Sequence, residues 1–497
     1  MYFLGIDLGT SFIKISILDS ETGKSISQTQ IPEHEMTVQS AQPGWAEQDP
    51  NIWWNLVVEG IKKSHSQGKY NPRDIKAIGI AYQMHGLVLL DKMGSVLRPS
   101  ILWCDSRAVS IGENAFHTLG ESFCLDHFLN SPGNFTASKL AWVKKNEPEI
   151  YDRIYQCMLP GDFIAYKLTG EITSTPSALS EGIFWDFKHQ CLSPDILRFF
   201  GFSPDIFPPV QPVFSEHGRI QKDLAEKLGL EEGTPVTYKA GDQINNALSL
   251  GVLDPGQVAA TAGTSGVIYQ VVDKNASDPL SRVNPFCHLN HSSEQNRLGV
   301  LLCINGAGMA NQWVRKNLGT GLTYQEMNEQ AKNIEPGSSG LRVFPFGNGA
   351  ERILENKIPG ASLKNLDLNN HSKAHVFRAV QEGIAAAFRY GLDIMRENGL
   401  KPMSIKAHFS NLFLSPVFQK SFVEFCQAPL SLFEGEGGFG AAIGAGIGYG
   451  HYKNPAEAFE NQKPIFEILP ENTSLYEPIY QDWKEKLNKE LNTKAYE

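Results

Sequence analysis

One pattern, a strand–turn–strand unit with Gly-Thr-Ser at its turn, occurs twice in this chain and constrains the fold more than any other feature. Residues 2–18 form the first copy, with the turn at residues 9–11 between two apolar runs. Residues 256–273 form the second copy, with the turn at residues 263–265, about half the chain length later. Because the turns recur inside the same pattern at this offset, they predict two related domains that face each other.

The length of the chain also favours two domains. A chain of 497 residues is too long for a single hydrophobic core. Strands alternate with helices throughout, which is typical of an α/β architecture. We therefore predict an α/β fold with an N-terminal domain over residues 1–250 and a C-terminal domain over residues 251–497. The alternative is a chance recurrence of common turn residues.

The first turn has the composition of an anion site. A tight turn of Gly, Thr and Ser directs several backbone N–H groups and two hydroxyls toward one point, and phosphate is the usual ligand of such a concave group of donors. Asp7 lies at its mouth, where a carboxylate would repel phosphate unless a hard cation such as Mg²⁺ lay between them. Asp7 is therefore the candidate metal ligand. The alternative is an ordinary edge hairpin with a polar turn.

Polar side chains follow the other predicted strands, at the positions where open α/β sheets bind ligands. The side chains at these strand ends are Gln83, Met84, His85, Trp103 and Asp242. We predict that they hold a small polar substrate. Taken alone, His85 is also typical of a structural histidine, and Asp242 of a capping aspartate.

Two phosphate-binding turns and two carboxylates at strand ends indicate phosphoryl transfer, a reaction that depends on positioning and charge neutralisation. Asp242 is the candidate base, which takes the proton of a substrate hydroxyl as that hydroxyl attacks the terminal phosphoryl group. Asp7 is expected to hold Mg²⁺ through water, because Mg²⁺ gives up its hydration shell reluctantly. The predicted catalytic residues are therefore Asp242 and Asp7.

Charge and composition argue against several other classes of protein. The formal net charge of −10 is unsuited to a nucleic-acid partner held by phosphate contacts. No apolar run reaches the roughly 20 residues that span a bilayer, so no membrane partner is expected. The seven cysteines are scattered and contain no C-x-x-C pair, which favours reduced thiols in the cytoplasm.

A glycine cluster at residues 435–440 matches the G-x-G-x-x-G fingerprint of dinucleotide-binding proteins. The small residues continue to residue 448, and no further strand follows, so a closely packed helix is the better interpretation. No Walker-type G-x-x-x-x-G-K-[ST] motif is present. If the chain binds ATP, it does so without a P-loop of that kind.

Several motifs resemble the FGGY family of carbohydrate kinases, and they recur in the order of that family over nearly the whole chain. They are DLGTS at residues 7–11, WAEQDP at 45–50, QMHG at 83–86, ILWCDSR at 101–107, FTASKL at 135–140, GTSG at 263–266, FCH at 286–288 and GAER at 349–352. The resemblance implies an actin-like ATPase fold, built from two ribonuclease-H-like domains around a central cleft. It also implies ATP and Mg²⁺ as cofactors and phosphorylation of a ketopentose.

The resemblance assigns roles to individual residues of this chain. Asp242 would be the proton acceptor, and Met84 and His85 would contact the sugar, with Gln83 and Trp103 beside them. The residues assigned to the nucleotide are Gly9, Thr10, Ser11, Lys14, Gly263, Thr264, Ser265, Gly306, Gly308, Ser410 and Asn411. The only expected partner is a small sugar, with a homodimer as an open alternative to a monomer. The rival interpretations are a kinase for another ketose or polyol, such as ribulose or glycerol, and a catalytically degenerate actin-like protein that binds nucleotide.

The chain departs from the family pattern at three places. Counting back from Gly251 would place Ile244 at the base position, but the match to Ala-Gly-Asp-Gln favours Asp242. Thr175 stands where aspartate is common. A Gly-Gly-Gly loop near the adenosine is replaced by residues 408–411, His-Phe-Ser-Asn. Glycines there let the backbone approach a nucleotide, so His408 and Phe409 are expected to narrow the pocket.

Overall fold

The structure is a computed structural model that describes residues 1–435 and 437–493. Its strands are β1 Tyr2–Leu8, β2 Ile13–Asp19, β3 Lys24–Ile31, β4 Glu47–Gln48, β5 Ile75–Tyr82, β6 Val88–Leu90, β7 Ser100–Ile101, β8 Gln156–Met158, β9 Trp185–Asp186, β10 Cys191–Leu192, β11 Val236–Gly241, β12 Gln257–Ala262, β13 Gly266–Val272, β14 Asn284–Cys287, β15 Leu298–Ile304, β16 Arg342–Phe344, β17 Ser362–Lys364, β18 Ser404–His408, β19 Leu430–Phe433 and β20 Phe466–Ile468.

The α-helices of the described residues are α1 Pro50–Gln67, α2 Val109–Leu119, α3 Glu121–His127, α4 Thr136–Asn146, α5 Pro148–Tyr151, α6 Pro160–Thr169, α7 Pro176–Glu181, α8 Pro194–Phe200, α9 Lys222–Leu228, α10 Asp242–Ser249, α11 Ala307–Leu318, α12 Tyr324–Lys332, α13 Lys373–Glu397, α14 Pro416–Cys426, α15 Gly437–Gly448 and α16 Thr473–Thr493. Within that part of the chain, no helix is long and apolar enough to cross a bilayer.

The first sheet has five strands in the order β11-β5-β1-β2-β3. The strands β1, β2 and β3 form an antiparallel meander, and β5 and β11 extend it in parallel with β1. The register pairs Leu8 with Tyr82 and Tyr82 with Gly241. The carboxyl ends of the three parallel strands therefore meet at one edge, and the segments that follow them emerge side by side.

The second sheet repeats this arrangement. Its order is β14-β15-β13-β12-β18-β19-β20, in which β12, β13 and β15 form the antiparallel meander and β18 and β19 continue parallel to β12. The turn at residues 263–265 joins β12 to β13, as the turn at residues 9–11 joins β1 to β2. The two Gly-Thr-Ser turns thus occupy the same place in the two sheets.

Local sequence explains where several elements begin and what they bury. Helix α1 begins after Asp49, whose side chain accepts a hydrogen bond from the Asn51 N–H, and its buried face includes Trp53, Val57 and Ile61. The long helix α13 buries an apolar stripe whose spacing is typical of an amphipathic helix. The strand β7 is short, because only Ser100 and Ile101 pair with β4.

The helix α15 belongs to the second half of the sequence but packs on the first sheet. A β-carbon added at Gly5 would lie 2.0 Å from the Gly438 carbonyl oxygen, and one at Gly79 would lie 2.0 Å from the Ala441 carbonyl oxygen. Such close backbone contact is possible only for glycine. The predicted glycine cluster is thus a packed helix in its described part, while Glu436 lies outside the described residues.

Candidate active site

The first Gly-Thr-Ser turn is tied to the predicted sugar-binding residues by hydrogen bonds. The Gly9 N–H donates to the Phe12 carbonyl at 3.0 Å and closes the turn. The Thr10 hydroxyl donates to Gln83 Oε1 at 3.0 Å and accepts from Trp103 Nε1 at 3.1 Å. Thr10, Gln83 and Trp103 therefore come together, and the turn is held in a fixed position relative to the strand ends.

The backbone conformation and a hydrogen bond together fix the orientation of His85. Its φ of 62° turns the chain sharply after β5, in a left-handed conformation that is uncommon for histidine. Its Nδ1 donates to the Glu181 carbonyl at 2.9 Å. Burial and then the charge of Lys139 lower the pKa of His85 to about 3. The imidazole is therefore neutral, and its Nε2 is an acceptor for a hydroxyl.

Aromatic rings form a wall beside this imidazole. The ring of His85 lies 4.9 Å from Phe135 and 5.5 Å from Phe286, measured between centroids. Phe135 precedes α4, in the first half of the chain, and Phe286 lies in β14, in the second. Since rings from both halves contact His85, the candidate substrate site lies where the two halves meet.

Asp242 is the first residue of α10 and follows β11 directly. A β-carbon at the preceding Gly241 would lie 2.6 Å from Met84 Cγ, so the base position and Met84 are immediate neighbours. Burial, followed by the nearby charge of Asp7, raises the pKa of Asp242 from 3.8 to about 7. A carboxyl with this pKa is suited to accepting a proton near neutral pH.

Asp7 lies in β1, opposite Lys14 of β2. A β-carbon at Gly437, the first residue of α15, would lie 2.2 Å from Asp7 Oδ2. The carboxylate is therefore at the amino end of that helix, where the helix dipole favours negative charge. Asp7 also influences the pKa of Asp242, so the two predicted catalytic carboxylates share one site.

A cleft of about 550 Å³ is lined by residues of both sheets. Three of the predicted nucleotide-binding residues, Lys14, Ser410 and Asn411, lie in its lining, together with His408, Asn246 and Thr261. The expected narrowing by Phe409 is not seen, because its ring packs 5.2 Å from Phe466, outside the cleft lining. His408 does face the cleft, where its Nε2 bonds the Ser249 hydroxyl at 2.8 Å.

The second Gly-Thr-Ser turn is packed against the start of α11. A β-carbon at Gly308 would lie 1.8 Å from the Gly263 carbonyl oxygen, and the Met309 N–H donates to the Thr264 carbonyl at 3.1 Å. Helix α11 therefore directs its amino end toward this turn, which adds to its attraction for phosphate. Gly306 was also predicted to bind the nucleotide. In the structure its N–H donates to Glu351 Oε1 at 2.8 Å.

Sequence reasoning gave no role to four ionisable residues of this region: Lys139, Glu181, Glu351 and Arg352. The Lys139 ammonium donates to the His85 carbonyl at 3.0 Å, and burial lowers its pKa to about 7. Glu181 is fully buried, and its carboxyl group lies beside the buried Tyr82 hydroxyl. Burial, and then the charge of Asp242, raises its pKa well above the ordinary value. In the sequence, Lys139 and Glu181 each stand as a single charge among uncharged residues, and this pattern could have marked them as candidate site residues.

The chain belongs to the FGGY family of carbohydrate kinases. The model of the N-terminal domain of that family matches residues 2–249, and the model of its C-terminal domain matches residues 258–449. The protein is accordingly a phosphotransferase that uses ATP and acts on a small sugar substrate. This membership confirms the family resemblance of the motifs.

Relatives named xylulose kinase match this chain over most of their length. The protein from Escherichia coli K12 is 31% identical and covers 81% of this chain and 80% of its own. The protein from Staphylococcus epidermidis RP62A is 30% identical, with 96% and 94% covered.

Solved structures with related sequences have the same fold. A structure described as a xyloylose kinase from Brucella ovis is 27% identical, with a TM-score of 0.86 over 97% of this chain and 98% of its own. The xylulose kinase from Rhodospirillum rubrum is 24% identical, with a TM-score of 0.89 over 100% of both chains. The predicted actin-like ATPase fold of two related domains is confirmed.

Proposed function

We propose that this protein is a xylulose kinase, which transfers the terminal phosphoryl group of ATP to D-xylulose and forms D-xylulose 5-phosphate. The observation that supports this reaction best is Asp242, a carboxyl with a pKa of about 7 beside Met84 and His85. The substrate is suggested by the names of two relatives called xylulose kinase, whose alignments cover 99% and 96% of this chain at 28% and 30% identity.

In this proposal Asp242 is the general base. The attacking hydroxyl of the sugar gives its proton to the carboxylate, the new O–P bond forms, and the bond to ADP breaks. Because the transition state of phosphoryl transfer is loose, the hydroxyl proton leaves late, and a carboxylate is a strong enough base. The neutral His85 accepts a hydrogen bond from another sugar hydroxyl through Nε2, and thereby orients the sugar.

The donor set at Asp7 fits Mg²⁺, which prefers oxygen ligands and retains most of its water. The carboxylate lies near Asp242, and its charge raises the pKa of that base, so a cation between them would relieve the repulsion. Asp7 would hold the ion through water. Bound Mg²⁺ neutralises charge on the phosphate oxygens of the nucleotide.

A panel of sugars tests the substrate. ADP release is measured with ATP and Mg²⁺ in the presence of pentuloses, hexuloses and glycerol. We expect the highest kcat/KM with D-xylulose. A higher value with ribulose or glycerol would favour the rival kinase, and no sugar-stimulated release from any compound would favour a nucleotide-binding protein without activity, for which the altered loop at residues 408–411 is the supporting feature.

The cellular location and the assembly belong to the same proposal. We expect a cytoplasmic enzyme, because its proposed substrates, D-xylulose and ATP, are small water-soluble metabolites. A homodimer stays a prediction, and the molar mass from light scattering distinguishes it from a monomer of 55.0 kDa.

A further inference from the structure

Arg352 brings a positive charge from the second half of the chain into the substrate site. It begins a single helical turn, Arg352–Leu354, directly after Glu351. Its guanidinium lies 5.5 Å from the centroid of the Phe135 ring, which in turn lies 4.9 Å from His85. A cation over an aromatic face is a favourable arrangement that also fixes the plane of the guanidinium.

The neighbours of Arg352 hold it from both halves of the chain. Its Nη1 donates to Asn284 Oδ1 at 2.6 Å, and Asn284 Nδ2 donates to Asn130 Oδ1 at 2.8 Å. Asn130 also donates to the Pro285 carbonyl at 2.8 Å. Since Asn130 lies in the first half and Asn284 in the second, the position of the guanidinium depends on how the two halves meet.

No carboxylate balances this charge within residues 1–435 and 437–493, where Arg352 takes part in no ion pair and Asn284 is its only hydrogen-bond acceptor. Two other arginines of the chain differ: Arg107 is paired with Asp105 at 2.7 Å, and Arg378 with Glu382 at 2.7 Å. Burial lowers the pKa of Arg352, so its charge is held at a cost. Arg352 is partly buried, and charges that are withdrawn from water are normally paired, which indicates that the counter-ion of Arg352 is a ligand.

Glu351, the residue before Arg352, is bonded to the backbone beside the second phosphate turn. The N–H groups of Asn305 and Gly306 donate to Glu351 Oε2 at 2.9 Å and Oε1 at 2.8 Å, directly after β15, which pairs Ile304 with Gly266 at the end of that turn. Arg352 therefore lies close to this turn as well as against the aromatic wall beside His85. In the proposed reaction the phosphoryl group passes between these two places.

We propose that Arg352 is a catalytic residue that binds the phosphoryl group during its transfer. Its N–H groups, other than the one that bonds Asn284, donate to the equatorial oxygens of this group while the O–P bond to the sugar forms and the bond to ADP breaks. The sugar proton goes to Asp242, and the bonding electrons leave with ADP. This inference rests on the proposed kinase reaction. Arginine is suited to the task, because its planar fork matches phosphate oxygens and it stays charged at neutral pH.

Kinetic variants test the inference. In Arg352→Gln we expect kcat to fall by about 10³-fold, the range for an arginine that stabilises this kind of transition state, while the KM values for sugar and ATP change only a few-fold. Added guanidinium ion should restore part of the turnover of Arg352→Ala. Arg315→Gln is the matched control, because Arg315 also lies over a ring, that of Tyr324 at 4.6 Å, but near the far end of α11. It should retain full activity.

A binding measurement separates this inference from the proposed function. We expect ADP with Mg²⁺ and aluminium fluoride, a mimic of the phosphoryl group in transfer, to raise the melting temperature of the wild type more than ADP with Mg²⁺ alone. Arg352→Gln should lose this additional stabilisation and keep the effect of ADP. If both proteins respond equally, or if the variant raises only the KM for sugar, Arg352 does not bind the transferred group, whether or not the wild type phosphorylates xylulose.

Discussion

Replacing Asp242 by asparagine should lower turnover by orders of magnitude and at the same time stabilise the protein. A base that accepts a proton near pH 7 requires a carboxyl whose ionised form is disfavoured by the folded structure. In this protein burial and the charge of Asp7 together raise its pKa from 3.8 to about 7. Asparagine keeps the shape of the side chain and removes the ionisation.

The size of the stabilisation follows from the pKa. A tenfold change in proton affinity corresponds to about 1.4 kcal/mol, so a rise from 3.8 to about 7 corresponds to about 4 kcal/mol at most. Part of this is screened, since the side chain of Asp242 is only partly buried. We therefore expect a net gain of about 1–3 kcal/mol in the free energy of unfolding at pH 8.

The effect of Asp242 on the free energy of unfolding depends on pH. Between about pH 4 and pH 7 the folded state binds more protons at Asp242 than the unfolded chain, so this residue makes the stability fall as pH rises. The destabilisation caused by ionised Asp242 is fully present above pH 7 and absent below pH 4. The stability difference between Asp242→Asn and the wild type should accordingly appear at pH 8 and vanish near pH 4.

Chemical unfolding of the metal-free, nucleotide-free protein at a series of pH values measures this difference. Turnover of the same variant should fall by about 10²–10⁴-fold, the contribution of a general base, while sugar binding by calorimetry persists. A variant that is no more stable than the wild type at pH 8, or whose stability difference does not change with pH, would refute the assigned pKa. An active variant would show that Asp242 is not the base.

Three further substitutions test other parts of the structure. Gly308→Ala should raise the KM for ATP at least tenfold, because its β-carbon would lie 1.8 Å from the Gly263 carbonyl oxygen; steady-state kinetics measures this. Glu181→Gln should leave the acid limb of the kcat/KM profile in place, because the raised pKa keeps Glu181 un-ionised; a shift of that limb to lower pH would show that its charge acts on the base. Lys239→Met should lower the free energy of unfolding by about 3–5 kcal/mol in denaturant titrations, because it leaves the buried Asp162 without its partner at 2.7 Å.

The parts of the fold that local pattern determines were accessible from the sequence. The strand Ile75–Tyr82 is a continuous, mostly apolar run, a pattern typical of a buried parallel strand, so it can be located from the sequence. The repeated turns predicted the duplication, because their Gly-Thr-Ser sequence recurs between the same kinds of strand. Residues that follow parallel strands of one sheet emerge at the same edge, and for this reason Gln83 and Asp242 could be predicted to lie in one site.

The remaining features depend on contacts between distant segments. The sequence gives no sign that Phe409 turns away from the cleft, because that orientation depends on Phe466. The sequence around Glu181 resembles that of an ordinary core helix. The residues that act on its carboxyl group, Tyr82, His85 and Asp242, are distant in the sequence. The role proposed for Arg352 likewise depends on a missing counter-ion, which only the three-dimensional arrangement reveals.

The position of helix α15 has a consequence for how the protein is made. This helix, Gly437–Gly448, covers β1, β5 and β11, which are synthesised hundreds of residues earlier. A nascent chain therefore carries a first sheet with one apolar face uncovered until nearly all of the second half has left the ribosome. Such a face is prone to aggregation, and chaperones shield surfaces of this kind. A fragment that ends at residue 250 should consequently be insoluble on its own and become soluble when it is co-expressed with the remainder of the chain.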